Sequence, residues 1–215
     1  MAKAEPAPVL ILGSASPRRA DLLRQLGVEF VVEPIDIDEQ ALVATSDIVA
    51  TVTRIAEAKF AAFADRGDRR LLTADTLVAC NGVLFAKPGS DDDVASMLRA
   101  MSGQTLTIAT AVCVGHVGSQ PTTEVVTTRV DLRDLETSEI ARYVATGVGL
   151  DKAAGLALQA EAGDFIAAVD GCWSNVLGLP LCAVAAALEL EVSDDRQVWS
   201  AGERTFCSVE LCGGS

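Results

Sequence analysis

Four apolar residues, Val9 to Leu12, stop at Gly13, the pattern of a buried strand running into a turn. Ser16 and Pro17 then provide an N-cap and a first helical residue. Leu22, Leu23 and Leu26 supply an apolar stripe, and Gly27 ends the helix. A second strand is predicted over Val28 to Val32, followed by an acidic loop, Ile35-Asp36-Ile37-Asp38-Glu39. Ser46-Asp47 caps a longer helix with Ile48, Val52, Ile55 and Phe63 near one face, ending near Gly67.

The rhythm then changes. Leu71 to Ala74 reads as a strand that delivers Asp75 and Thr76 at its end, while Leu77 to Cys80 and Val83 to Phe85 flank the hairpin dipeptide Asn81-Gly82. Ser90 and three aspartates, Asp91 to Asp93, open a helix that runs through Met101 to Ser102-Gly103, the acids complementing the helix dipole. Thr105 to Val114 and Thr123 to Leu132 form an antiparallel pair. A helix from Ser138 to Thr146, a strand at Asp164 to Val169 and a helix after Pro180 complete the pattern. The predicted fold is α/β: a mixed twisted sheet flanked by helices, in two lobes with a cleft between. Residues 1–190 form the single domain, and residues 191–215 are expected to be a poorly ordered tail.

Composition narrows the function. Half of the 215 residues are apolar and 22% are charged, so the chain folds. A net charge of −13 opposes nucleic acid and membrane surfaces as partners, and requires any anionic substrate to be small and locally neutralised. A single histidine, His116, builds no histidine-rich metal site, so catalysis falls to carboxylates and lysines. The six cysteines have no short paired spacing and are expected to be free thiols in a reducing cytoplasm. The start lacks an apolar leader, and the longest apolar run, Val176 to Leu188, is interrupted by Gly178 and Pro180; no membrane association is expected.

Two places could carry chemistry. Ser14 to Arg19 (SASPRR) brings backbone N–H groups, a helix N-terminus, two hydroxyls and two guanidiniums to one spot, as a phosphate chain requires. The plainer alternative is an N-cap followed by solvated arginines. Neither GxxxxGK[ST] nor GxGxxG is present. Asp75, with Thr76 beside it and Lys87 downstream, suits a cation ligand or a base acting on water, with a turn aspartate as the alternative. Asp36, Asp38 and Glu39 could add a carboxylate or simply be solvated. Lys59 and Lys152 mean little singly. Trp173 and Phe165 could stack on a base but fit a core better.

The ordered series SASPRR (14–19), IDIDEQ (35–40), KF (59–60), TADT (73–76), AKP (86–88), MLRAMSGQT (97–105), YVATG and LDKA (143–153), LQ (158–159) and NVLGLPL (175–181) resembles the Maf family of nucleoside triphosphate pyrophosphatases, once described as septum-formation inhibitors. The resemblance implies hydrolysis of a nucleoside triphosphate to monophosphate and pyrophosphate, with a divalent cation (Mg²⁺, Mn²⁺ or Co²⁺). It makes Asp75 the proton acceptor. Ser14, Arg18, Arg19, Lys59 and Lys87 match the family's other polar site residues, as does Glu39, which joins Asp75 as a metal ligand. Arg18, Thr76 and Gln159 match the subgroup acting on dTTP and UTP. The late loop departs: residues 152–160 read KAAGLALQA where the family has KAGAYGIQG, so Leu156 replaces a tyrosine, and Thr73 replaces a glycine. A homodimer is admitted, although nothing in the residues fixes it. The alternative function is a nucleotide-binding regulator of cell division with vestigial hydrolysis; a sugar- or phosphoester-binding protein is a third reading.

Overall fold

The computed structural model describes residues 9–190 except 44, 65, 68, 159 and 160. β1 (Leu10–Leu12) leads into α1 (Pro17–Gln25), then β2 (Phe30–Val32), α2 (Ile48–Ala61), β3 (Arg70–Cys80), β4 (Val83–Phe85), α3 (Asp91–Met101), β5 (Thr105–His116) and β6 (Thr122–Leu132). α4 (Thr137–Ala145), β7 (Ile166–Asp170), α5 (Trp173–Val176) and α6 (Leu181–Ala187) follow. Short 3₁₀ turns occupy Gln40–Leu42, Ala153–Gly155 and Glu161–Phe165.

The seven strands form one mixed sheet in the order β2-β1-β3-β5-β6-β7, with β4 also on β3. β1 runs parallel to β2 and β3, and the other pairings are antiparallel. β5 accompanies β3 along its whole length, from Arg70 opposite His116 to Cys80 opposite Leu106. The other edge of β3 is shared. β1 leaves it at Leu72, β4 joins at Val78, and the stretch between has no strand partner on that side among the described residues.

Side chains alternate across this strand. Leu71 packs with Ile11, Val52, Ala56, Phe60 and Phe63 under α2. Leu72, Ala74 and Val78 face the larger core, built with residues of α1, α3, α4, α5 and α6. Thr73, standing in the family's glycine position, donates to the Ala56 carbonyl of α2 at 2.9 Å. It lies so close to β1 that a Cβ on Gly13 would sit 2.8 Å from its methyl group, so Gly13 must lack one. The effect of Thr73 is thus on sheet-to-helix packing.

Local chemistry explains the helix ends. Ser16 accepts from the Arg19 N–H, Asp47 from the Val49 and Ala50 N–H groups, and Ser90 from the Asp93 N–H. α2 ends at Ala61, short of Gly67, and α4 starts one residue ahead of Ser138 because Glu136 and Glu139 close a capping box. Asn81 and Gly82 both have positive φ, 51° and 77°, as the tight β3–β4 hairpin demands.

Three expectations are corrected. Leu71–Ala74 and Leu77–Cys80 belong to one continuous strand, and Asp75 lies in its middle, because β5 keeps pairing past the point where β1 stops. α5 has no counterpart in the pattern of apolar positions. Cys80 and Cys113 are free thiols, but Cys172 and Cys182 are disulfide-bonded, since chain folding and not sequence spacing decides which sulfurs meet. Cys207, Cys212 and the expected tail, 191–215, lie outside the described residues. Among the described residues no helix is long and apolar enough to cross a membrane.

Candidate active site

A cavity of about 770 Å³ opens where β3 has lost β1 and not yet gained β4. Ser14, Arg18, Arg19, Glu39, Lys59, Asp75, Thr76 and Lys87 all line it, so the structure brings together every predicted site residue except Gln159, which lies outside the described residues. A smaller hollow of about 390 Å³ near Arg133 is lined by the Arg133–Glu139 pair and is separate from this set.

Asp75 and Thr76 reach the cavity from opposite faces of β3. On the α2 face, the Lys59 ammonium lies 2.6 Å from Asp75 Oδ1 and 2.6 Å from Glu39 Oε1. The Asp75 and Lys59 side chains are only 7% and 10% exposed, whereas that of Glu39 is 40% exposed. Asp75 Oδ2 is buried with no hydrogen-bond partner among the described residues. Burial raises the Asp75 carboxyl above its ordinary value, outweighing the opposing charges of Lys59 and Arg19, which brings it toward the range useful to a general base. Burial also pushes Glu39 upward, but the hydrogen bond and charge of Lys59, with Lys87 and Arg19 beyond, hold it below the usual carboxylate range.

On the other face Arg19 ties three segments together. Its Nε donates to the Gly178 carbonyl at 2.8 Å, Nη1 to Ala74 O at 2.7 Å and Ser14 Oγ at 3.3 Å, and Nη2 to Thr76 Oγ1 at 3.0 Å. The Ala74 carbonyl belongs to the unpartnered edge of β3, so the guanidinium takes the place of a strand there. The Thr76 hydroxyl is turned inward, 2.9 Å from Thr110 Oγ1 and 3.4 Å from Gly178 O. Arg18 lines the cavity in the field of Asp151, its pKa lowered by partial burial. Lys87 stands exposed at the rim, and Lys152 lines the cavity while paired with Asp151.

Lys59 fills the space between the two carboxylates that a bridging metal was expected to occupy. Among the described residues no group of three or more His, Cys, Asp or Glu side chains could hold a metal ion. A cage made of protein ligands alone does not fit. The unpartnered Asp75 Oδ2 does fit a hard cation that arrives with phosphate ligands, the usual arrangement for Mg²⁺.

Sequence reasoning overlooked Gly178 and Thr110, whose contributions are a backbone carbonyl and a buried hydroxyl; the run NVLGLPL was the one visible signal. Phe85, half-buried in the β4 hairpin, is the aromatic ring on the cavity wall, whereas Trp173 and Phe165 pack in the core. Of the acidic loop, Asp36 also lines the cavity, while Asp38 caps the Ala41 N–H.

Residues 9–191 match the family model described as Maf-like protein. The chain is 44% identical over 185 residues to the dTTP/UTP pyrophosphatase of Anaeromyxobacter dehalogenans, covering 85% of this chain and 93% of that protein. It is 38% identical over 183 residues to the protein of that name from Geobacter sp. strain M21, covering 84% and 94%, and 41% identical over 182 residues to that of Myxococcus xanthus, covering 84% and 91%.

Proposed function

Since this chain belongs to the Maf family, we propose that it hydrolyses nucleoside triphosphates, with dTTP and UTP preferred, to the monophosphate and pyrophosphate. The observation that carries this reading is Asp75, a buried carboxylate with one unpartnered oxygen, in the wall of a cavity lined also by Arg18, Lys59 and Lys87.

Such a cavity suits a polyanion held by an acidic protein. Lysine and arginine charges supply local neutralisation that the net charge of −13 otherwise denies. The N-terminus of α1, with Ser14 and Arg18 beside it, receives phosphate oxygens, and Lys87 meets them at the rim. Lys59 orients the Asp75 carboxylate through Oδ1 and opposes the rise that burial gives its pKa, leaving Oδ2 either to accept a proton from water attacking the α-phosphorus or to bind the cation. A divalent cation, Mg²⁺, Mn²⁺ or Co²⁺, would be held by Asp75 with Glu39 nearby and by the substrate's own phosphates, and would supply charge neutralisation and a more acidic water. Thr76 acts on base choice through its framework contacts, and Gln159 reads the base edge. The acidic chain works in the cytoplasm without nucleic-acid partners.

The test is incubation of the purified protein with a panel of purine and pyrimidine triphosphates, the products being separated as monophosphate, diphosphate, phosphate and pyrophosphate. Monophosphate and pyrophosphate in equal amounts, fastest from dTTP and UTP, are expected. Binding without pyrophosphate release would favour a regulatory nucleotide-binding role, and release of single phosphate would refute the reading.

A further inference from the structure

Behind the cavity lies a side chain that does not itself line it. Asn175 is fully buried in α5, and its Nδ2 donates both hydrogens to the sheet, to Ile108 O of β5 at 3.1 Å and to Thr128 Oγ1 of β6 at 2.9 Å. Thr128 Oγ1 also accepts the Cys172 N–H and donates to the Cys172 carbonyl, both at 3.1 Å, so its donor and both acceptor positions are used. The main chain of Asn175 continues the linkage: its carbonyl accepts the Gly178 N–H at 2.8 Å. Gly178, at φ 98°, then turns its own carbonyl to Arg19 Nε, and Arg19 grips the Ala74 carbonyl next to Asp75.

We propose that Asn175 is a positioning residue that fixes the Gly178 carbonyl against strands β5 and β6 and thereby sets the plane of the Arg19 guanidinium. A guanidinium is a rigid fork, so the direction of one N–H bond determines the directions of the rest. Arg19 spends Nε on Gly178, and the same plane aims Nη1 at Ala74 and Nη2 at Thr76. Loss of the Asn175 donors frees the 176–180 segment to shift, and Arg19 shifts with it. One acceptor position would open on the carbonyl of Ile108, a cavity-lining residue, and one on Thr128 Oγ1, which keeps its bonds to Cys172.

This inference rests on the hydrolytic reading, and the experiment separates the two. Kinetics of nucleotide hydrolysis are measured for wild type, Asn175→Ala, Arg19→Ala and the double variant, with circular dichroism to verify folding. Asn175→Ala is expected to lower kcat/KM about tenfold or more, the scale of one misdirected charge-assisted hydrogen bond. The double variant should then be no worse than Arg19→Ala alone, because the two residues act in series. Additive losses, or a folded Asn175→Ala variant with unchanged kcat/KM, overturn the proposal. Should Asn175→Ala fail to fold, Thr128→Val is expected to reproduce the loss in kcat/KM and Thr128→Ser to restore it; equal activity of the two threonine variants overturns it. Exchange of the Arg19 Nε–H, followed by NMR, should be slow in the wild type and faster in Asn175→Ala or Thr128→Val. That readout stands even if no nucleotide is hydrolysed, an outcome that would sink the hydrolytic reading alone; unchanged exchange would sink the positioning role alone.

Discussion

Lys59→Met removes an ammonium while keeping the length and apolar stem of the side chain. Asp75 then loses its 2.6 Å partner at a site where its side chain is 7% exposed and Oδ2 already has no partner among the described residues. Breaking a buried ion pair by removing one member costs about 3–5 kcal/mol when the remaining charge stays ionised. Glu39 loses the same partner, but at 40% exposure water screens the loss and it adds little. Burial already raises the Asp75 carboxyl, and Lys59 is the largest influence opposing that rise, so the variant raises it further. A carboxyl with a raised folded pKa binds more protons folded than unfolded. Its favourable effect is complete below the unfolded value, roughly 3.9, and drains by about 1.4 kcal/mol per pH unit as pH rises toward the folded value. The stability deficit of Lys59→Met against wild type should therefore be smallest below the wild-type folded value, where both proteins hold a protonated Asp75, and grow toward about 3–5 kcal/mol as pH rises from that value to the variant's higher one. Urea unfolding at four pH values between these limits measures it. A deficit that does not change with pH would show that Lys59 matters through packing, and would refute the electrostatic account of the Glu39–Lys59–Asp75 group.

Asp75→Asn should lower turnover by about a hundredfold or more, measured as pyrophosphate released by a variant whose circular dichroism matches the wild type. Gly178→Ala places a Cβ at φ 98°, 3.5 Å from Thr76 Oγ1, and should cost about 1–2 kcal/mol in urea unfolding while lowering kcat/KM. Glu139, hydrogen-bonded by Arg133 and by the Glu136 N–H, has its pKa lowered to about 2. Glu139→Gln should thus reduce the thermal midpoint at pH 7, and the difference from wild type should fade as pH falls from roughly 4 toward 2. Excess chelator should abolish hydrolysis, reversibly on adding Mg²⁺; full activity in chelator would remove the cation from the reaction.

The helices that were legible in the sequence announce themselves locally. Ser16-Pro17, Ser46-Asp47 and the Ser90 to Asp93 run each satisfy backbone N–H groups within a few residues, so their caps could be read without knowing the fold. Asn81-Gly82 was equally readable, because its two positive φ values demand those residue types. The continuity of β3 through Asp75 was not, since it depends on β5, which lies some 30 residues further along the chain. The site showed the same division. Asp75, Lys59 and Arg18 carry charges that stand out in a sequence, and the family resemblance gathered them. The roles of Gly178 and Asn175 arise from a carbonyl direction and a buried amide, which have no residue-type signature. The disulfide state of Cys172 and Cys182 escaped for a similar reason, being a matter of long-range proximity.

Asp75 and Thr76 are consecutive, yet β3 assigns them to different halves of the molecule: one rests on α2 and Lys59, the other on Gly178, Arg19 and the α5–α6 side. The two sides therefore pack under separate constraints. A substitution behind Thr76 acts through Gly178 and Arg19, whereas one under α2 acts on Lys59 and the carboxylate directly. Ala154, Leu156 and Ala157 of the late loop, where the family has two glycines and a tyrosine, pack in the larger core on the Thr76 side, while Glu39, Lys59 and Asp75 are intact on the other. A pleat of one residue is enough to set the wall where this sequence departs from the family's apart from the charged group where it does not.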